Sequence, residues 1–167
     1  MPGRGILSPC AENTPFGQQC AVGHTGFTVT ATVAGANVAK FLPVYVPKAI
    51  TVTDMLIAVA TTGGNVDVGI YTWAGVRIVS SGAILTGAAG AQVLGIVDTL
   101  LQPGWYFLAI STSSATAIFR SSTGSVANLR VCGMQQMAAA HPLPATATFA
   151  TYTSPLPYVC AAFRATA

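Results

Sequence analysis

The chain has 167 residues, of which only 7% are Asp, Glu, Lys or Arg while 52% are apolar, and its net charge is +3. Ordinary soluble domains carry about 25% charged residues, so a free monomer with this surface is association-prone, and the mean hydropathy of +0.61 points the same way. Three classes are excluded at once. The basic residues Arg4, Lys40, Lys48, Arg77, Arg120, Arg130 and Arg164 are scattered, which leaves no basic patch for nucleic acid. The longest charge-free run, 78–97, is broken by Ser, Gly and Gln and lacks the apolar density of a membrane span. Frequent β-branched and aromatic runs exclude disorder. What remains is a protein that works inside an assembly, where neighbours cover surface that charge would otherwise solvate.

In chain order, residues 1–26 read as an extended N-terminal arm and 27–167 as one β-sandwich domain. The arm is rich in Pro and Gly and has no period; Ile6, Leu7 and Phe16 are poor choices for a free tail and, with Arg4, read as contacts to a neighbouring subunit, the alternative being a loose terminus. No secretory leader is visible in residues 1–9, which lack a basic start followed by a long apolar run. Residues 27–33 alternate as FTVTATV, placing Phe27 and Val29 on the apolar face of a half-buried strand. The run 38–46 is a second strand, and Pro43 marks it as an edge or a bulge because proline donates nothing to a ladder. Phe41 in this run joins Phe27 and Val29 as an interface candidate.

A long strand over 49–62 is followed by Gly63-Gly64, a hairpin signal, so 65–73 is its expected hairpin partner. The run 76–80 continues that sheet or crosses to the other. Residues 82–95 are Gly/Ala-rich and read as a loop, and 92–101 as a strand or strand-loop. Pro103-Gly104 opens WYFLAIS, apolar on both faces as a central strand is, with 116–120 as its hairpin partner. The segment 126–140 is the one place for a short helix; Gly133 interrupts it, and Met134 and Met137 are core filler. Residues 145–152 alternate, and 158–163 form the last strand. Nine to ten short strands at this spacing define an all-β, two-sheet antiparallel sandwich or jelly roll.

Reaction chemistry is sparse. The carboxylates are Glu12, Asp54, Asp67 and Asp98, and the histidines are His24 and His141. Asp67 sits in an alternating strand and reads as solvent-facing; Asp54 and Asp67 are not marked as a glycosidase pair. No nucleophile elbow, phosphate loop, zinc-protease motif or calcium loop is present. Cys10, Cys20, Cys132 and Cys160 contain no zinc spacing; they read as reduced apolar thiols, with a Cys10–Cys20 disulfide open in an oxidising medium. The expectation is no enzyme, no cofactor and no metal. Among the aromatics, Trp105 and Phe107 read as core and Trp73 as a ring capping the sandwich end; in the alternative reading Trp73 is exposed and faces a ligand.

The order NVDVGIYTWAG, LQPGWYFLAIS, HPLPATATF and PYVCAAF resembles β-sandwich domains in virion proteins of tailed bacteriophages. The matching residues are Gly69, Ile70, Tyr71 and Gly75, then Leu101, Pro103, Gly104, Tyr106, Leu108 and Ala109, then Leu143 and Pro144. The resemblance spans roughly 44–163 and rests on turn and core residues. It implies a capsid decoration (cement) or head-fibre protein on the virion surface, made in the host bacterial cytoplasm. Its implied partners are the major capsid (coat) protein and further copies of itself, as a homo-oligomer of trimer type. The alternative it carries is a tail- or fibre-associated receptor-binding module that holds glycan through Trp73.

Overall fold

The computed structural model describes residues 16–17, 30–33, 35–122, 126–131, 133–153, 158–159 and 161–166. The strands are β1 (Phe16–Gly17), β2 (Thr30–Val33), β3 (Ala39–Val46), β4 (Ile50–Thr61), β5 (Asn65–Thr72), β6 (Arg77–Ser80), β7 (Ile84–Leu85), β8 (Gly90–Leu101), β9 (Gly104–Thr112), β10 (Ile118–Ser122), β11 (Gln135–Met137), β12 (Ala150–Thr151), β13 (Tyr158–Val159) and β14 (Ala161–Thr166), with one short helix, α1 (Val126–Val131). They form two antiparallel seven-stranded sheets. The first runs β1-β14-β4-β10-β13, with β8 on β4 and β2 on β10. The second runs β12-β11-β3-β9-β5-β6, with β7 on β5. The all-β sandwich expected from the alternating runs is the fold.

The main core lies between the sheets. Leu42, Val44, Val46, Val66, Val68, Ile70, Leu108 and Ile110 enter it from the second sheet; Val52, Met55, Ile57, Val59, Leu94, Leu101 and Phe119 enter from the first. Strict alternation in β3, β5 and β9 produces this face. In β4 the phase slips between Val52 and Met55, because Thr53 is an extra residue against β14: Arg164 pairs with Asp54 and Ala165 with Val52. A bulge of this kind turns the apolar side back towards the core after two consecutive polar residues.

The opposite face of the second sheet is also covered. Ala39, Phe41, Tyr71, Phe107 and Ala109 pack there against Ala140, Leu143 and Ala147, with Met137 and Phe149 alongside. The covering segment, residues 138–149, is a strap laid across β3, β9 and β5. It corrects two expectations. Phe41, taken as an interface residue, is fully buried within the chain, because the strap closes over the face it occupies. Asp67, taken as solvent-facing, is buried for the same reason.

Two expected hairpins are crossings between sheets. β4 and β5 do not pair; β4 belongs to the first sheet and β5 pairs with β9 in the second. Both strands have an apolar face to bury in the same core, which an arch satisfies and a flat hairpin does not. Thr86 holds the arch: its Oγ accepts the Gly63 N–H at 2.9 Å and its N–H donates to the Gly64 carbonyl at 3.1 Å. β10 likewise joins β4 and β2 rather than β9. At that crossing the Ser114 hydroxyl accepts the N–H groups of Thr116 and Ala117.

The helix is confined to α1. Gly133, at φ 81°, follows it, and Met134 goes into the core, while Met137 ends a strand on β3. Pro43 is indeed beyond the reach of β11, whose pairing with β3 stops at Phe41, so β3 is an edge at the proline. The expected 145–152 strand shrinks to β12. Part of the expected 82–95 loop is the strand β7 and the start of β8. Arg4, Ile6, Leu7, Phe27 and Val29 lie outside the described residues, as do all four cysteines; of the expected arm, Phe16–Gly17 pairs antiparallel with β14.

Candidate functional site

The site is a row of rings on the outer face of the second sheet, where the strap stops. Tyr45 on β3 lies opposite Trp105 on β9 in the ladder, and Trp73 follows the end of β5. Alternation puts these side chains on the same face as Phe41, Tyr71 and Phe107, but past the cover of residues 138–149. Tyr45, Trp73 and Trp105 are 49%, 54% and 55% exposed, and among the described residues they are the exposed large aromatics. They touch in sequence: Tyr45 to Trp105 at 5.2 Å between centroids and Trp105 to Trp73 at 5.9 Å, with planes tilted by 48° and 56°.

The row is held from below and from one side. Trp73 stacks on the buried Phe107, centroids 4.6 Å apart and planes 7° from parallel. Phe107 in turn meets Phe149 at 4.6 Å and Phe41 at 6.3 Å. Trp73 stands in a tight turn closed by the Gly75 N–H on the Thr72 carbonyl at 3.0 Å. Gly75 has φ +85°, and a Cβ there would lie 2.8 Å from the Ala147 carbonyl oxygen. Only glycine fits both demands. The strap then clamps the turn: the Ala147 N–H donates to the Gly75 carbonyl at 2.7 Å.

Polar side chains fasten the strap. Asp67 Oδ2 accepts the Leu143 N–H at 2.9 Å, the Tyr71 hydroxyl donates to the Pro144 carbonyl at 2.6 Å, and Arg77 Nη1 donates to the Leu143 carbonyl. Ser111 Oγ and His141 Nδ1 are 3.1 Å apart. Burial pushes the Asp67 carboxyl above its ordinary value, against the Leu143 hydrogen bond and the charge of Arg77. Burial also pushes the Tyr71 phenol well above its ordinary value. The network ties the backbone of Leu143 and Pro144 to β5 and β6.

Asp54 and Asp67 lie on different sheets, and among the described residues no group of three or more His, Cys, Asp or Glu is placed to hold a metal. Lys40 follows the alternation of Leu42 and Val44. Its amine is buried with no hydrogen-bond partner among the described residues, and burial lowers its pKa to about 8. No described helix is long and apolar enough to cross a membrane.

Trp73 is thus exposed rather than a buried cap, and Trp105, expected in the core, is its exposed neighbour. Sequence reasoning missed Tyr45 and Trp105 as members of the site. The available signal was parity: in β3 and β9 both share the outer face with Phe41 and Phe107, and both lie at the strand ends next to a turn.

The fold defines an antiparallel two-sheet β-sandwich whose second sheet carries a strapped outer face ending in an exposed aromatic row. Comparison with protein-family models, with curated proteins and with solved structures finds no match to this chain.

Proposed function

We propose that the chain is a structural β-sandwich subunit that works docked in a protein assembly, and in particular a decoration (cement) protein on the head of a tailed bacteriophage. The observation that carries the reading is β8. This strand runs the twelve residues Gly90–Leu101 and pairs only with β4; its other edge has no strand among the described residues. It exposes Val93, Val97 and Leu100 and carries the single charge Asp98. Solitary proteins guard such an edge with lysine, proline, a bulge or a covering loop; β8 has a bulge at residues 96–98 opposite Thr53, and Val93 and Leu100 stay exposed on either side of it. An edge this long and this apolar is suited to pairing with another chain, through main-chain hydrogen bonds and alternate side chains. The sparse charge of the whole chain agrees with burial among neighbours. The partners in this reading are the coat protein and sister copies, with a trimer over capsomer junctions as the proposed form. Binding only the assembled shell stabilises that shell by mass action, and several contacts per oligomer add by avidity.

Co-sedimentation with purified phage heads and, separately, with purified tails tests it. Saturable binding to heads at a fixed ratio to coat protein is the expected result; no binding to heads overturns the decoration role. A second reading, a tail- or fibre-associated receptor-binding module, is favoured by one observation, the exposure of Trp73. In that case binding to tails replaces binding to heads.

A further inference from the structure

We propose that the Tyr45–Trp105–Trp73 row is a binding site for a neutral oligosaccharide chain. The inference deepens the receptor-binding reading, but it stands on the second sheet alone and does not depend on which particle, or which part of one, the protein decorates.

Four observations carry it. The first is concentration. The chain has two tryptophans, both are more than half exposed, and both lie in one row with the exposed tyrosine. Exposing rings that elsewhere would bury 150–250 Å² each forgoes a large stabilisation, and the same sheet buries Phe41, Tyr71 and Phe107 efficiently a few residues away. The second is preorganisation. Trp73 is stacked on Phe107 and its turn is clamped at Gly75 by Ala147, so one indole face is fixed and the other is presented. A ligand then meets rings whose freedom has already been given up, which is the condition for a weak apolar contact to become affinity.

The third is charge. The three rings and their chain neighbours Val44, Val46, Thr72, Ala74, Gly104 and Tyr106 carry no charge. An acidic sugar finds no base among these chain neighbours, and Arg77, opposite Tyr71 on β6, donates to the Leu143 carbonyl. The π faces are negative and attract the weakly positive C–H groups lining one side of a pyranose ring. The fourth is spacing. The centroid steps of 5.2 and 5.9 Å are comparable to the width of one sugar ring, so successive rings can register on successive sugars. The tilts of 48° and 56° make the row faceted. It suits a soluble chain whose sugars turn relative to one another, and it is a poor match to the flat face of a crystalline polysaccharide.

The site supplies its own reporter. Both tryptophans are in the row, so intrinsic tryptophan emission reads it directly. The full chain is titrated with neutral oligosaccharides built on glucose, galactose and N-acetylhexosamine units. A saturable change in emission with at least one of these is expected. Trp105→Ala should weaken that binding more than tenfold and Tyr45→Ala several-fold, with unchanged far-ultraviolet circular dichroism and melting. Val97→Lys, on the other sheet, should bind as the parent does. Trp105→Tyr keeps a ring and should restore part of the affinity lost in Trp105→Ala.

Three results overturn the site. One is no saturable change with any saccharide of the panel at millimolar concentration. Another is a change that Trp105→Ala leaves intact. The last is a concentration-dependent dimer that Trp105→Ala dissolves, which makes the row a contact between copies of this chain. Loss of head or tail binding without loss of the emission change removes the particle reading and leaves the saccharide site standing.

Discussion

The indole of Trp73 lies 7° from parallel to the ring of Phe107, with centroids 4.6 Å apart. Phe107 is buried and Trp73 is half in solvent, so the pair joins the interior of the second sheet to its exposed row. Phe107→Leu keeps an apolar side chain but removes the stacking surface. It should cost about 1–2 kcal/mol in urea unfolding, shift tryptophan emission to longer wavelength and weaken the near-ultraviolet circular dichroism. An unchanged near-ultraviolet spectrum would show that the stack does not fix the indole.

Gly75 is held by two demands that can be separated. Gly75→Ala combines a left-handed φ of +85° with a Cβ 2.8 Å from the Ala147 carbonyl oxygen. Gly82→Ala shares the positive φ, at +70°, but meets nothing within 4 Å. The second variant should cost about 1–2 kcal/mol for the backbone alone, and the first should cost more by the price of moving the strap. Thermal melts of the two variants give the difference; equal losses would mean that the strap yields freely at Ala147.

Asp67 fastens the strap through the Leu143 N–H. Asp67→Ala leaves that donor buried without an acceptor and should cost about 1–3 kcal/mol, whereas Asp67→Asn retains an acceptor oxygen and should cost less. The carboxyl is raised above its ordinary 3.8, first by burial. A carboxyl raised on folding stabilises the native state below its unfolded pKa and loses that contribution as pH rises through the folded value. The parent should therefore lose stability relative to Asp67→Asn as pH climbs from about 4 through the acidic range. Urea midpoints at a series of pH values check this, and parallel curves would refute it.

Lys40 has the opposite sign. Its amine falls from 10.5 to about 8 on folding because it is buried. Between those values the unfolded chain holds a proton that the folded chain has released, so stability rises with pH across the window. At 1.36 kcal/mol per unit the full effect is about 3 kcal/mol. Lys40→Met should stabilise the protein at neutral pH by roughly 1–3 kcal/mol and flatten the rise. Melting curves between neutral pH and pH 10 decide it; a Lys40→Met protein less stable than the parent would mean that the amine has a partner.

Val97 is 80% exposed on β8, whose outer edge has no strand among the described residues. Val97→Lys should alter folding stability by less than about 0.5 kcal/mol while reducing concentration-dependent association in sedimentation velocity. Unchanged association would move the contact away from β8.

Much of the sandwich is legible in the sequence, because alternation, Gly-Gly and Pro-Gly signals are local. Even the bulge in β4 leaves a trace, since Thr53-Asp54 breaks the apolar period before Met55. Pairing is less legible. Gly63-Gly64 signals a reversal but does not say whether the chain returns beside β4 or arches to the other sheet; the arch is held by Thr86, more than twenty residues away. The burial of Phe41 and Asp67 is hidden for the same reason: the strap that covers them has little regular secondary structure, and its alternation begins only at 145. Trp73 was legible as a ring beside a turn, while its partnership with Tyr45 and Trp105 needs the β3–β9 register.

The strap also bears on how the chain comes to be made. Asp67 and Leu143 are 76 positions apart, Tyr71 and Pro144 are 73, and Arg77 and Leu143 are 66. On a ribosome the acceptor and the ring-rich face emerge long before the segment that completes them. During that interval Phe41, Tyr71 and Phe107 have no cover from their own chain and are open to chaperones and to other nascent copies. Contacts this far apart in sequence slow folding, and an open ring-rich face is prone to association in the meantime. The aromatic row thus lies beside a face that gains its cover only after residues 138–149 have emerged.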